Sequence, residues 1–115
     1  MVNRPTQSRI EALARRYREL ARGREHVLHD IATAEIPEMV YNSNAIENST
    51  LTLKDTEDIL LRDIVRKDRD IREVYEAKNL SRIMGSLLED PARPLSVSLI
   101  LEGHKTLLSG INDAW

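Results

Sequence analysis

The spacing of apolar residues constrains this chain more than any other feature, because they recur every three or four positions along most of its length. This spacing places apolar side chains on one face of an α-helix, and no segment shows the alternation typical of a half-buried strand. The chain has 115 residues and no phenylalanine, so leucine, isoleucine, valine and alanine must fill a single core. We therefore expect an all-α fold, a compact bundle of about five helices.

Two predicted helices occupy the first part of the chain. Ser8 and the glutamate three residues after it form a capping box, which predicts a long amphipathic helix over 8–33. Gly23 interrupts the apolar pattern and is expected to weaken or bend that helix. Pro37 lacks an N–H and suits the first turn of a second helix, which we expect over 37–47.

Three further helices are predicted from their start signals. Thr52, with an acidic residue three positions later, predicts the start of a third helix. A fourth helix is expected over 70–88. Ser96 can cap the last helix. Its predicted inward face comprises Val97, Ile100, Leu101, His104, Leu107, Leu108 and Ile111.

Charge and composition exclude several classes of protein. Basic and acidic residues number 17 and 19, a balance that argues against a general binder of nucleic acid or membranes. The arginines of the first helix are interleaved with glutamates, so a solvated face is favoured over a nucleic-acid patch. The chain has no cysteine, no apolar signal core at its N-terminus and no apolar run long enough to span a bilayer. We expect a cytoplasmic protein.

The histidines of this sequence do not indicate a metal site or a catalytic residue. His26 and His29 lie three apart on a predicted helix, but further ligands for a metal site are missing. His104 is expected to be a partly buried histidine on an apolar face. No metal site is predicted.

One segment resembles a known family. The stretch Tyr41-Asn-Ser-Asn-Ala-Ile-Glu-Asn-Ser-Thr-Leu-Thr-Leu53 resembles the inhibitory-helix region of the Fic (filamentation induced by cyclic AMP) family. That family's pattern is Ser or Thr, three residues, Glu, then Gly or Asn, which Ser43, Glu47 and Asn48 meet. The last predicted helix also resembles the family helix that precedes the catalytic core. The resemblance covers 35–115, a Fic N-terminal-like region, and leaves 1–34 as an N-terminal helix of the same single domain.

The resemblance implies a regulatory role. Fic enzymes transfer AMP from ATP to a hydroxyl group of a target protein, with Mg²⁺, and their catalytic signature is His-Pro-Phe-x-x-Gly-Asn-Gly-Arg. In autoinhibited members the inhibitory Glu pairs with the final Arg of that signature and prevents productive ATP binding. By resemblance, Glu47 is the inhibitory group, Ser43 orients the helix and Asn48 ends it.

Physical chemistry agrees with this assignment. A carboxylate beside a phosphate-binding arginine competes for the same bidentate donor and repels the phosphate. Ser43 and Glu47 are four positions apart, so a helix presents them on one face.

The catalytic signature itself is absent from this sequence. His104 is followed by Lys-Thr-Leu-Leu, and the chain stops at Trp115, about where the family continues toward its core. We therefore assign no catalytic, cofactor-binding or metal-binding residue, and expect the chain alone to be inactive. ATP and Mg²⁺ are implied only for the complete family member.

Three functional hypotheses remain open. The first is a regulatory segment whose partner is a Fic catalytic core in cis, with the full enzyme's protein target as a further partner. The second is an antitoxin-like protein that inhibits a Fic toxin in trans. The third is a helical interaction module. A homo-oligomer is possible under each, whereas nucleic acid and membranes are not expected partners.

Overall fold

A computed structural model describes residues 1–114, and within them all regular structure is helical. The predicted all-α fold is therefore confirmed. The five helices are α1 (Arg4–Ala21), α2 (Glu25–Ile46), α3 (Leu53–Arg62), α4 (Ile71–Glu89) and α5 (Val97–Leu107). The chain divides into two units, Met1–Ile31 and a second that begins at Ala32.

The first unit contains a helix break that the sequence prediction missed. Helix α1 begins at Arg4 because the Asn3 side chain accepts a hydrogen bond from the Thr6 N–H at 2.9 Å, so the predicted start at Ser8 is wrong. The helix ends before Gly23, which has a φ of +79°. Since this left-handed conformation is easy for glycine and cannot continue a right-handed helix, the single helix predicted over 8–33 is also wrong.

Helix α2 runs through Pro37, so the prediction that this proline begins a new helix is wrong. Pro37 lies inside the helix and is buried, as are Ile36 and Val40. A proline in a helix removes one backbone hydrogen bond and crowds the preceding turn. Burial of three neighbouring side chains in the core of the second unit outweighs that cost, since each apolar side chain contributes about 1.5–3 kcal/mol when fully buried.

The core of the second unit draws on α2, α3, α4 and the segment before α3. Its fully buried apolar residues are Ile36, Val40, Leu51, Ile59, Val74 and Ala77. The predicted helix starts are confirmed here: Thr52 and Asp55 form a reciprocal capping box, and the side chains of Asp70 and Ser96 each accept a hydrogen bond from the backbone of the following helix. Leu60, Leu80, Met84 and Leu88 pack around this core.

Helix α5 contradicts its predicted orientation over most of its length, although the predicted inward residues Leu108 and Ile111 are half-buried. The predicted inward residues Val97, Ile100 and Leu101 are 74%, 59% and 61% exposed, and His104 is exposed as well. The side that carries Gly103 is half-buried beside α4 instead. Leu99 and Thr106 lie on this side as well and are half-buried.

Among the described residues, no helix has both the length and the apolar content needed to cross a membrane.

Candidate functional site

The end of α2 is fixed by a Schellman motif. Asn48 has a φ of +64°. Its N–H donates to the carbonyl of Ala45 at 3.2 Å, and the N–H of Ser49 donates to the carbonyl of Asn44 at 3.0 Å. These two bonds satisfy carbonyls that a helix end otherwise leaves without partners. Glu47 is therefore held at a defined helix end, between the last helical residue and a left-handed turn.

The segment after this turn is tied to α4. The backbone N–H and the hydroxyl of Thr50 both donate to the Glu73 carboxylate, at 2.8 Å and 2.6 Å. Hydrogen bonds to a charged acceptor are stronger than neutral ones. They fix the chain three residues beyond Glu47 to the first turns of α4.

Ser43, Asn44 and Glu47 line one side of an open cleft of about 500 Å³. The spacing of four residues predicted that Ser43 and Glu47 share a face, and they line the same cleft. The other side is built from α4 and the end of α5. Its lining residues are Arg72, Glu76, Leu80, Leu107, Leu108 and Ile111.

The Glu47 carboxylate is exposed and has no partner among residues 1–114. The cleft does contain a guanidinium, but Arg72 donates through Nε to Glu76 at 3.1 Å. Acidic groups therefore outnumber basic ones at the cleft. Its charge suits an incoming cation or hydrogen-bond donor rather than an anion.

The wall opposite Glu47 depends on a buried polar side chain that the sequence analysis did not identify. Asn79 is fully buried, and its amide donates to the carbonyls of Leu107 at 3.0 Å and Ser109 at 2.8 Å. Both bonds satisfy carbonyls at the C-terminal end of α5, where a helix leaves carbonyls without intrahelical partners. The only sequence signal was an asparagine within an otherwise good helix, and its partners lie 28 and 30 positions further along the chain.

Arg72, Glu73 and Glu76 were also missed as neighbours of the predicted site. They lie more than twenty positions from Ser43 and Glu47, so no local spacing connects the two groups. Their proximity comes from the packing of α4 in the second unit.

The remaining candidate residues form no further site. His26 lies 3.4 Å from Asp30, with both side chains largely exposed. Within residues 1–114 no three side chains of the metal-binding types come together.

Comparisons of the sequence with protein-family models, with curated proteins and with solved structures find no match.

Proposed function

We propose that this chain is the regulatory region of a Fic-type AMP-transferring protein, with Glu47 as its inhibitory carboxylate. The catalytic core that binds ATP and Mg²⁺ is a separate part, joined in cis or met in trans. Ser43 and Asn48 belong to the same regulatory motif.

The unpartnered carboxylate of Glu47 is the observation that carries this proposal. It stands exposed at a helix end that the Schellman motif and the Thr50–Glu73 hydrogen bonds hold in place. Because the backbone at Glu47 is already fixed, only its side chain must be ordered when the carboxylate pairs with an arginine of another surface.

The pattern of the resemblance also has a physical reason in this helix end. The family pattern requires Gly or Asn directly after Glu, and Asn48 occupies a left-handed conformation here. Glycine and asparagine are the two residues that adopt this conformation most readily. The conformational requirement at Asn48 therefore supports the reading of residues 43–48 as an inhibitory motif.

The proposal predicts that Glu47→Ala raises AMP transfer at least about tenfold. The chain is combined with a catalytic domain that carries the His-Pro-Phe-x-x-Gly-Asn-Gly-Arg signature, either fused after Trp115 or mixed as a separate protein. Transfer of labelled AMP from ATP to protein is then measured. Loss of a charge-assisted bidentate ion pair, worth about 1.5–3 kcal/mol, sets the expected size of the effect.

Glu38→Ala is the matched control, because Glu38 is an exposed glutamate on α2, the helix that ends directly before Glu47. It should leave AMP transfer unchanged. If Glu47→Ala and Glu38→Ala give the same rate as the unaltered chain in both the fused and the mixed format, Glu47 is not an inhibitory residue and the proposal is wrong.

A further inference from the structure

Glu73 joins the segment that follows Glu47 to helix α4. Its Oε1 accepts the backbone N–H of Thr50 at 2.8 Å, and its Oε2 accepts the Thr50 hydroxyl at 2.6 Å. Among the described residues 1–114, these are the only hydrogen bonds that join residues 43–50 to another helix. Both oxygens of one carboxylate therefore hold a single residue of that segment.

The position of Glu73 in α4 makes this contact unusual. Asp70 caps α4, and Glu73 is the third residue of that helix. In a capping box, an acidic residue at this position accepts the N–H of the capping residue, as Asp55 does with Thr52 at the start of α3. In the described part of the chain, both oxygens of Glu73 instead accept from Thr50, 23 positions earlier. The carboxylate thus makes a long-range contact in place of the local cap.

The same turns of α4 build the cleft wall opposite Glu47. Arg72 and Glu76 line that wall, and Glu73 lies between them in the sequence. The hydrogen bonds to Thr50 therefore fix the chain three residues beyond Glu47 to the element that forms the opposite wall. They set how the Glu47 carboxylate is presented beside the cleft.

Burial of the next residue does not replace this contact. Leu51 is 5% exposed and belongs to the core. The burial of an apolar side chain is non-directional, so it retains Leu51 in the core without orienting the exposed residues before it. Hydrogen bonds depend on angle as well as distance, so the pair from Thr50 to Glu73 does orient them.

We propose that Glu73 is a positioning residue for Glu47, so that the inhibitory unit has two parts, residues 43–48 and Glu73 on α4. The proposal rests on the function proposed above for Glu47. When Thr50 is released from Glu73, the helix end gains backbone freedom that docking on a catalytic core must remove again. Inhibition then weakens although the Glu47 carboxylate is still present.

Amide hydrogen exchange of the chain alone measures the contact without a catalytic partner. The Thr50 N–H should exchange about tenfold faster, or more, in Glu73→Ala, because its acceptor is lost. Glu73→Gln should keep most of the protection, since its amide oxygen accepts the N–H and its NH₂ group donates to the Thr50 hydroxyl. The N–H of Ile59, which is buried in α3, is the internal reference and should not change.

AMP transfer tests the positioning role, in the fused and mixed formats described for Glu47. Glu73→Ala should raise transfer by about fivefold, the equivalent of ordering one backbone residue on docking. In a chain that already carries Glu47→Ala it should add nothing, because no inhibitory carboxylate remains to be positioned. A general structural role of Glu73 would give the same factor in both backgrounds.

Lys78→Met is the matched control. Lys78 also joins α4 to another helix end, since its Nζ donates to the carboxylate of Asp63, the residue that caps the end of α3, at 2.7 Å. That bond involves no residue of the segment after Glu47. Its loss should leave both AMP transfer and the exchange of the Thr50 N–H unchanged.

The outcomes separate the role of Glu73 from that of Glu47. If Glu47→Ala raises AMP transfer and Glu73→Ala does not, the positioning role is wrong and the proposed function stands. An equal effect of Glu73→Ala in both backgrounds, or an unchanged exchange rate of the Thr50 N–H, also overturns the positioning role. If Glu47→Ala has no effect, the proposed function is wrong and the positioning role is wrong with it.

Discussion

Asp55 is the most strongly constrained acidic residue in the second unit. It is only 3% exposed, and its Oδ2 accepts the Thr52 N–H at 2.9 Å and lies 3.0 Å from Nη2 of Arg69. Burial by itself would raise the pKa of Asp55, but the hydrogen bonds from Thr52 and the Arg69 guanidinium together lower it below the ordinary value of 3.8. The carboxylate therefore joins the start of α3 to the loop before α4.

We predict that Asp55→Asn lowers the free energy of unfolding at pH 7 by about 3 kcal/mol, because the largely buried Arg69 is left with only the exposed Asp68 as a charged partner. Since folding lowers the pKa of Asp55, its contribution is present above about pH 4 and is lost as the pH falls through the lower folded-state pKa. Urea denaturation at pH 7 and at pH 3 measures both effects. The difference between the two proteins should shrink at pH 3.

Asp68→Asn is a matched control for this residue. Asp68 faces the same Arg69 at 3.8 Å, but its side chain is 70% exposed. Exposed pairs contribute little, so this substitution should change stability by less than about 0.5 kcal/mol. An equal loss from both substitutions would show that burial of Asp55 does not determine its contribution.

Among the helices, α2 shows where local sequence signals succeed and fail. Its C-terminal end follows from local chemistry, since Asn48 can adopt a left-handed conformation and the resemblance assigned it to the end of the helix. Its N-terminal half does not, because Pro37 is a local signal for the start of a new helix, and core packing overrides that signal. The caps at Thr52, Asp70 and Ser96 were predictable because each depends on residues at most three positions away.

The orientation of α5 was not predictable either, because it depends on tertiary packing. Apolar spacing identifies the apolar side of a helix, but it does not say which surface covers that side. The cleft beside Glu47 was unpredictable as well, because its far wall depends on Asn79 and on contacts between residues about thirty positions apart.

The end of α2 supplies a second stability prediction. Asn48→Val should lower the free energy of unfolding by about 1–2 kcal/mol, because a β-branched residue is strained at positive φ. Asn48→Gly should be nearly neutral or slightly stabilising, since glycine adopts this conformation freely. Urea denaturation measures both.

Asn42→Val is the control for that pair, because Asn42 is exposed in the same helix and its φ is negative. The identical change of side chain there should alter stability by less than about 0.5 kcal/mol. If Asn48→Val were as mild as Asn42→Val, the left-handed turn after Glu47 would not be a fixed feature of the protein in solution.

Across the whole chain, burial is distributed unequally between the two units. Among residues 1–114, every buried residue lies between Ile36 and Asn79, within the second unit, and α1 contains none. An isolated helix of 18 residues is marginally stable in water. The folding free energy of the chain therefore comes mainly from the second unit.

This distribution predicts the result of two deletions. Removal of residues 1–31 should leave the second unit folded, with a Tm within about 5 °C of the full chain, because no buried residue is lost. Removal of residues 91–115, a similar length, should lower the Tm by more than about 10 °C, because the buried amide of Asn79 loses both of its acceptors. Thermal melting followed by circular dichroism compares the two. Equal losses from both deletions would mean that residues 1–31 contribute to the stability of the second unit through contacts that its own core does not supply.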